Sequence, residues 1–152
     1  MNASAKKRST KKFSNRRRYY DVRQYAMLFN AENEILVLQL PLHYQPYGGQ
    51  WTFPGGKLEP SDVPEEGILR EIEEETCLQA EVEEILHLDR WDTERSRKLA
   101  IFYRCRLVGR RKQPVLSEEH RSAKWISIDD SQELEFYSAY FRRALEKSAD
   151  SL

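Results

Sequence analysis

The sequence predicts an α+β domain, on the order of its apolar patterns and on the length of the chain. Short apolar runs typical of strands lie on both sides of an amphipathic helix pattern at about residues 64–76. A second amphipathic pattern, at about residues 131–147, follows the last of these runs. The chain of 152 residues is near the usual length of one domain, so we expect a single core.

The predicted strands are short, apolar and separated by residues that favour turns. A turn at residues 30–33 joins the first two strands, and a loop rich in Pro, Gly and Tyr, residues 41–50, precedes the third. We find no internal repeat and no interdomain linker in the sequence. The predicted strand segments are 24–29, 35–40, 51–53, 80–91, 99–108 and 123–128.

The helix predicted at residues 64–76 has favourable signals at its start and unfavourable ones at its end. Asp62 and Glu65 have the spacing of a capping box, and Pro64 suits the first turn. The last turns hold carboxylates and no base, although a helix C-terminus already carries partial negative charge. Each misplaced carboxylate costs about 0.3–1 kcal/mol, so these acids need an external source of positive charge.

Three of these acids, Glu71, Glu74 and Glu75, are predicted to share one stripe beside the apolar face of the helix. Oxygen donors suit Mg²⁺ or Mn²⁺ better than Zn²⁺, and Mg²⁺ is usually bound together with substrate phosphates and water. The stripe therefore predicts a Mg²⁺ or Mn²⁺ site for a phosphate ester or anhydride. A Glu-rich run on its own is more often a solvated helix face, so the prediction depends on the neighbouring residues.

The segment from Gly56 to Leu78 resembles the Nudix box, whose pattern is G-x5-E-x7-R-E-U-x-E-E-x-G-U with U a bulky aliphatic residue. Seven of its nine defined positions match, and the segment 51–56, Trp-Thr-Phe-Pro-Gly-Gly, leads into it. The departures are Asp62, where the pattern has Glu, and Cys77, where it has the second Gly. The matching residues are Gly56, Arg70, Glu71, Ile72, Glu74, Glu75 and Leu78.

Both departures spare the acids of the box. Asp62 is one methylene shorter than Glu, which reduces its reach at a position where family members hold a supporting carboxylate near the metals. Cys77 follows the helix, where Gly often adopts positive φ without steric cost. We expect a strain of about 1–2 kcal/mol if Cys77 adopts that conformation.

The resemblance implies the Nudix fold, a mixed β-sheet sandwiched between α-helices, in a domain at residues 19–152. It also implies metal-dependent hydrolysis of a diphosphate linkage in a nucleoside diphosphate derivative. The first expectation is a nucleoside triphosphate pyrophosphohydrolase, because segment 51–59 is similar to that of small dNTP-hydrolysing members. Nucleotide sugars, ADP-ribose, dinucleoside polyphosphates and RNA 5′ ends are the alternative substrates.

The same resemblance implies roles for individual residues. Glu71, Glu74 and Glu75 would bind one to three Mg²⁺ or Mn²⁺ ions, with the carbonyl of Gly56 as a further ligand. Arg70 would pair with a carboxylate of the box rather than with substrate. The remaining catalytic candidates concern the base, which is a box acid such as Glu74 or Glu75 in some members and a Glu of a later loop, here Glu118 or Glu119, in others.

Substrate contacts are expected around the glycine pair. Gly55 allows the backbone to approach a ligand closely, and Lys57 follows directly and can meet a phosphate. Trp51 is the candidate for stacking on a base, although the sequence does not decide between it and four other aromatics. Those aromatics are Tyr44, Tyr47, Trp91 and Trp125. The three histidines have no partner at metal or nucleophile spacing and are expected to be structural or solvent-facing.

Two readings from other functional classes remain open. A Nudix-fold module that binds a nucleotide or RNA without cleaving it usually lacks one or more box acids, whereas all three are present here. An isomerase of a diphosphate-bearing isoprenoid would need a catalytic Cys and Glu pair, and the position of Cys77 at the helix exit argues against it.

Charge is divided unevenly along a chain whose formal net charge is zero. Residues 1–18 hold eight Lys or Arg and no acid, whereas residues 59–84 hold eleven acids and one base. We expect a flexible basic extension at residues 1–18, with RNA contact as the alternative role. The acidic segment must recruit cations before it can accept a polyphosphate.

Composition and patterning predict a soluble, cytoplasmic protein without a membrane segment. Two cysteines form no disulfide framework in a chain of this length. The N-terminal residues lack the apolar region of a secretory signal, and no apolar run reaches the 18 residues of a membrane span. The resemblance leaves a homodimer open.

Overall fold

The computed structural model describes residues 19–150, and the basic segment 1–18 lies outside the described residues. Seven strands and two α-helices form within the described part of the chain. The elements are β1 (Tyr20–Phe29), β2 (Ile35–Gln39), β3 (Trp51–Thr52), β4 (Gly55–Lys57), α1 (Pro64–Thr76), β5 (Gln79–Asp92), β6 (Arg97–Val108), β7 (Ser122–Ile126) and α2 (Ala139–Asp150).

All seven strands belong to one mixed sheet. Strand β1 lies in the middle of the order β3-β2-β1-β6-β5, parallel to β6 and antiparallel to β2. The short strand β4 pairs with β1, and β7 pairs with β2. The combination of parallel and antiparallel pairs confirms the predicted mixed sheet.

The two helices cover opposite faces of the sheet. Successive side chains of a strand point to opposite faces, so β1 contributes to both layers. Tyr25 and Met27 belong to one buried cluster with Phe141 of α2. Ala26 and Leu28, in contrast, belong to a second cluster with the α1 side chains. The α/β/α sandwich is therefore confirmed.

The local sequence pattern predicts neither strand β4 nor the first four residues of β1. Strand β4 has only three residues, two of them Gly, and forms because its backbone pairs with β1 from Arg23 to Tyr25. Strand β1 begins at Tyr20 rather than at residue 24, because its first residues pair with β6 from Arg97 onward. Neither pairing leaves a signal in the local apolar pattern.

The closing helix begins later than predicted. Residues 130–133 form a 3₁₀ turn and α2 begins only at Ala139, so the prediction of a helix from residue 131 is wrong. Between them, the Trp51 N–H donates to the carbonyl of Glu135 at 2.9 Å, and the Tyr137 N–H donates to the carbonyl of Trp51 at 3.2 Å. Residues 135–137 therefore extend the sheet at β3, and the apolar pattern there reflects burial rather than helix.

Within residues 19–150, neither helix has the length and apolar character that crossing a lipid bilayer requires.

Candidate active site

The turn before α1 brings backbone unusually close to β1. A Cβ added at Gly55 would lie 2.0 Å from the carbonyl oxygen of Gln24, so only Gly fits at this position. The carbonyl of Pro54 accepts a hydrogen bond from the Ala26 N–H at 2.7 Å, which holds the turn against the central strand. The glycine pair is thus fixed at the edge of the sheet, facing the end of α1.

Helix α1 packs its apolar face on the sheet and brings two carboxylates to the glycine pair. Ile68 and Ile72 are fully buried beneath it. Glu75 is only 2% exposed, and its Oε2 accepts a hydrogen bond from the Gly55 N–H at 3.2 Å. The carboxyl group of Glu71 lies beside Gly56, where an added Cβ would approach it to 3.2 Å. The stripe predicted from the spacing is therefore half buried rather than solvated.

Burial and mutual repulsion raise the proton affinity of these acids. Desolvation, followed by the charge of Glu74, raises the pKa of Glu71 to about 7. Desolvation raises the pKa of Glu75 to about 9, although the Gly55 hydrogen bond acts in the opposite direction. Glu119 contributes repulsion to both groups. The side chain of Glu74 is 61% exposed and lies at the outer margin of the set.

Arg70 anchors the outer side of the helix through Asp62. Its two terminal nitrogens donate to the two carboxylate oxygens of Asp62 at 2.8 and 3.1 Å, and its Nε lies 3.6 Å from Glu74. The Arg70 hydrogen bonds lower the pKa of Asp62. Arg70 thus pairs with the carboxylate that stands at the first acidic position of the box pattern.

The capping box proposed for Asp62 and Glu65 does not form. The residue that caps the helix is Val63, which has extended backbone and no side-chain hydrogen bond to the helix, with Pro64 in the first position. Asp62 instead accepts from the Glu59 N–H at 2.8 Å and binds Arg70. A bidentate guanidinium partner is a stronger attraction for the carboxylate than one backbone N–H.

Cys77 adopts the left-handed conformation expected of the residue after a helix, with φ 56° and ψ 17°. Its N–H donates to the carbonyl of Glu73. This is the position where the box pattern has Gly, so the side chain of Cys77 carries the strain that Gly avoids.

A later loop completes the end of α1. The Val115 N–H donates to the carbonyl of Thr76 at 2.9 Å, and the Ser117 N–H donates to the carbonyl of Glu75 at 3.2 Å. These bonds satisfy carbonyls that a helix end leaves without partners. They also place Glu118 and Glu119 directly after the docked segment, next to the box acids.

The site opens into a cleft of about 730 Å³. Glu75, Gly55 and Gly56 lie on its acidic side together with Glu118 and Glu119. The loop at residues 41–50 and the start of α2 also contribute to its lining. Of the residues proposed from the sequence, the structure brings these five to the cleft together with three stacking candidates, Tyr44, Tyr47 and Trp91, and Glu71 lies beside Gly56.

Two proposed substrate contacts, Trp51 and Lys57, do not line this cleft. The ring of Trp51 is covered by Lys124, whose Nζ lies 4.7 Å from the ring centre. The Nζ of Lys57 lies 3.7 Å from a carboxylate oxygen of Asp21. Both side chains are occupied by neighbours on the protein. Trp125, another aromatic considered for stacking, also lies elsewhere and donates to the carbonyl of Lys112 at 3.0 Å.

The cleft lining includes Trp91, one of the stacking candidates, and three tyrosines that were not predicted to contact substrate. The phenols of Tyr25, Tyr137 and Tyr140 form one hydrogen-bonded cluster, and Trp91 stacks on Tyr140 with ring centres 4.4 Å apart. Burial raises the pKa of Tyr137 and Tyr140, so these phenols are neutral at physiological pH. In the sequence they look like ordinary core aromatics, because strand and helix patterns do not separate a core wall from a cleft wall.

Two histidines, expected from the sequence to be structural or solvent-facing, also line the cleft, and one of them is close to the acids. His120 follows Glu119, and burial lowers its pKa to about 4, so its imidazole is neutral near pH 7. His43 lies on the loop at residues 41–50. Neighbouring carboxylates do not make His120 a cation, because the loss of water around the ring dominates.

The donor set suits a hard divalent cation. Burial, and after it mutual repulsion, raises the pKa of Glu71 and Glu75, so a bound cation would supply the positive charge that a proton otherwise supplies. Across residues 19–150, no three acidic, His or Cys side chains converge into a ready-made metal cage. This donor set fits Mg²⁺ or Mn²⁺, which commonly keep several water ligands and bind substrate oxygens rather than a closed protein cage.

Comparison with known proteins places these residues in a family. A model of the NUDIX domain matches residues 20–145. An 8-oxo-dGTP diphosphatase from Proteus vulgaris is 43% identical over 49 residues, which are 32% of this chain and 43% of that protein. A MutT-like protein from Streptomyces ambofaciens is 33% identical over 85 residues, 56% of this chain and 53% of that protein.

A solved structure extends the likeness to almost the whole domain. The MutT protein from Methanosarcina mazei Go1 superposes with a TM-score of 0.76 at 27% identity, over 88% of this chain and 96% of that one. This chain spans about half or less of the length of the two curated relatives, whereas the domain model matches most of this chain. The chain therefore belongs to the NUDIX domain family, many of whose members are named as hydrolases.

Proposed function

We propose that this protein is a metal-dependent hydrolase of a diphosphate linkage in a nucleoside diphosphate derivative, with a nucleoside triphosphate as first substrate. The products would be a nucleoside monophosphate and diphosphate. The observation that carries the proposal is the buried carboxylate of Glu75, held against the Gly55 N–H in the cleft. A buried acid of raised pKa beside a second acid is costly to the fold and is typical of functional sites.

Glu71, Glu74 and Glu75, with the Gly56 carbonyl, would hold Mg²⁺ or Mn²⁺. A bound divalent ion would supply positive charge to the oxygens of the diphosphate. Arg70 would position the ligands from outside, because its bidentate pair with Asp62 fixes the helix face that carries Glu71 and Glu74. Gly55 and Gly56 have no side chain, which leaves room for the phosphates of the substrate to approach.

Hydrolysis needs a group that removes a proton from the attacking water. Glu118 and Glu119 line the cleft and are held there by the docking of residues 115–117 on α1. Either carboxylate would accept the proton while the water oxygen bonds to phosphorus and the bridging phosphorus–oxygen bond breaks. Glu75 is the alternative base. Because a box acid would both bind metal and accept the proton, a single substitution at Glu75 removes both roles at once.

A nucleoside is the moiety that the remaining walls favour. Tyr44 and Tyr47 are 52% and 40% exposed and line the cleft, and Trp91 lines it as well. Exposed aromatic rings suit a flat base. The relative named as an 8-oxo-dGTP diphosphatase supports a triphosphate as the first choice. Nucleotide sugars, ADP-ribose, dinucleoside polyphosphates and RNA 5′ ends are the alternatives within the same chemistry.

The deciding experiment is a turnover panel. Purified protein with Mg²⁺ or Mn²⁺ is incubated with NTPs, dNTPs, NDP-sugars, ADP-ribose, dinucleoside polyphosphates and 5′-triphosphate RNA, and the released phosphate species are identified. We expect release of diphosphate from a triphosphate. Tight binding of one compound without turnover of any would instead favour a binding module that senses a nucleotide or RNA.

Three further parts of the proposal concern features outside the described structure. The basic segment 1–18 is proposed as a flexible extension, and its deletion should leave small-nucleotide turnover unchanged while selectively reducing turnover of RNA if it binds RNA. A homodimer is proposed from the family resemblance and would be measured by sedimentation. A cytoplasmic location is proposed with them and would be checked by fractionation.

A further inference from the structure

A row of cations lies on the cleft side of the sheet, one step along β1 from the glycine turn. Alternate residues of a strand share a face, so Asp21, Arg23 and Tyr25 of β1 point to the same side. Tyr25 pairs with Gly55 of β4, and Asp21 pairs with Lys98 of β6. Arg23 is therefore about 7 Å from the Gly55 row along the strand, and Lys98 lies one row further.

The charge of these two cations is only partly balanced by protein carboxylates. Arg23 and Lys98 line the cleft together with Glu75. Within residues 19–150, Arg23 forms no ion pair at 4.0 Å or less. The Nζ of Lys98 lies 3.5 Å from Asp21, but the Nζ of Lys57 lies 3.7 Å from the same carboxylate. One carboxylate thus serves two lysines, and Arg23 adds further positive charge.

The next carboxylate on this face does not change the balance. Asp89 of β5 is paired across β6 with Ala100, which in turn is paired with Arg23. Its Oδ2 accepts from Arg143 Nε at 2.6 Å and contacts His87 at 3.0 Å. The charge of Asp89 is therefore neutralised by α2, and Asp21 alone does not balance the charges of Arg23, Lys57 and Lys98.

We infer that Arg23 and Lys98 bind a phosphate group of the substrate beyond the two that flank the bond to be cut. The inference deepens the proposed function, on which it rests: a triphosphate or longer polyphosphate would be preferred over a diphosphate whose second moiety is neutral. A guanidinium matches the oxygens of a phosphate through two parallel hydrogen bonds, and an ammonium acts as a compact charge beside it. A side chain that is only 19% exposed, as that of Lys98 is, loses little further entropy when it binds.

The charges of the cleft explain why a polyphosphate would need the cations Arg23 and Lys98. The carboxylates of the cleft repel a polyanion until a metal ion is bound, and a metal ion at those acids neutralises only the phosphates next to it. A third phosphate lies further from the metal and needs positive charge of its own. Within the box, Arg70 is bound by Asp62 and Lys57 lies beside Asp21, which leaves Arg23 and Lys98 as the cations that line the cleft.

Binding of two methylene-bridged analogues tests the inference independently of turnover. Adenosine α,β-methylene triphosphate and α,β-methylene diphosphate differ by one phosphate and resist cleavage at the α,β position. Calorimetry in Mg²⁺ should show tighter binding of the triphosphate by the wild-type protein. Arg23→Ala and Lys98→Ala should each weaken triphosphate binding about 10–100-fold, as expected for a lost charge-assisted contact, and change diphosphate binding less than about threefold.

Arg90→Ala is the matched control. Arg90 lies on β5 next to Trp91, pairs with Asp92 at 3.0 Å and does not line the cleft, so both affinities should stay within about twofold. Arg23→Lys keeps the positive charge and should therefore retain part of the preference for the triphosphate. Unfolding midpoints of all variants, measured in parallel, identify any loss that comes from the fold.

Two results would overturn the inference. One is an equal loss of affinity for both analogues in Arg23→Ala and Lys98→Ala, and the other is a wild-type protein without preference for the triphosphate. Failure of the proposed function has a different signature, because the turnover panel would then show no product while the preference for the triphosphate and its loss in the variants persist.

Discussion

Helices α1 and α2 pack on opposite faces of one sheet, but their C-terminal turns differ in charge and in what they bury. Helix α1 has no base in its last turn and buries Glu75 there, whereas α2 has Lys147 in its last turn and buries aromatic and aliphatic side chains. The burial of its aromatic and aliphatic side chains makes α2 a stabilising element of the fold. The unfavourable placement in α1 is consistent with the proposed role of its last turns in metal binding.

The largest effect that separates the helices should be on turnover. Glu75→Gln removes a carboxylate from the site without changing its shape, so we expect kcat for the best panel substrate to fall about 10²–10⁴-fold. Glu73→Gln makes the same charge change on the exposed side of α1 and should stay within about twofold. Near wild-type turnover in Glu75→Gln would show that this acid is not part of the machinery.

The second effect should appear in α2 and concern stability. Phe141 is fully buried and contacts the rings of Tyr25, Phe53 and Phe136. Phe141→Ala should lower the free energy of unfolding by about 3–5 kcal/mol, because it removes a large side chain from a packed aromatic cluster. Urea denaturation measures it, with Phe141→Leu as the milder control. A loss below about 1 kcal/mol would mean that α2 is not the stabilising element.

The third effect is a gain in stability, opposite in sign to the loss expected for Phe141→Ala. In metal-free protein, Glu75→Gln should raise the free energy of unfolding by about 1–3 kcal/mol at high pH, because a buried charge is removed. The pKa of Glu75 is about 9 when folded and 4.5 in the unfolded reference. Since the folded pKa is the higher one, the wild type loses stability as pH rises from about 5 to 9. The gap between variant and wild type should widen over that range.

Denaturation series in EDTA at several pH values measure this gap, and Glu73→Gln is again the control for surface charge. A gap that is constant from pH 5 to 9, or a variant that is less stable than the wild type throughout, would contradict the assignment of the cost to Glu75.

The smallest effect concerns the exit of α1. Cys77 has φ 56°, a conformation that costs a residue with a Cβ about 1 kcal/mol. Cys77→Gly should therefore stabilise the protein by roughly that amount or slightly less, since Gly also loses more chain entropy. Cys77→Ser removes the thiol but keeps the strain, and should leave the unfolding midpoint nearly unchanged. An equal gain in both variants would assign the effect to the thiol instead.

Local patterns were sufficient for the elements whose signals lie within a few residues. Helix α1 has the predicted bounds, because Pro64 starts it and the residue after Thr76 takes positive φ. The box acids, the glycine pair and the loop acids Glu118 and Glu119 were proposed from the sequence, and the structure brings Glu75, both glycines and both loop acids to one cleft, with Glu71 beside Gly56.

What the sequence could not show depends on pairing between distant segments. The burial of Glu75 requires the Gly55 turn to be held by β1, which no local pattern encodes. Residues 135–137 look helical in sequence but bind the backbone of Trp51. Arg23 and Lys98 read as ordinary strand residues until β1 and β6 align and bring them to one cleft.

The docking of residues 115–117 on the carbonyls of Glu75 and Thr76 links the proposed metal ligands to the proposed base, so heat should disorder both together. If the last turn of α1 frays, it releases Glu75 and the loop of Glu118 and Glu119 together. Activity would then be lost on heating before the sheet unfolds. Lengthening the segment between β6 and residue 115 would tune the temperature of this loss without altering a motif residue.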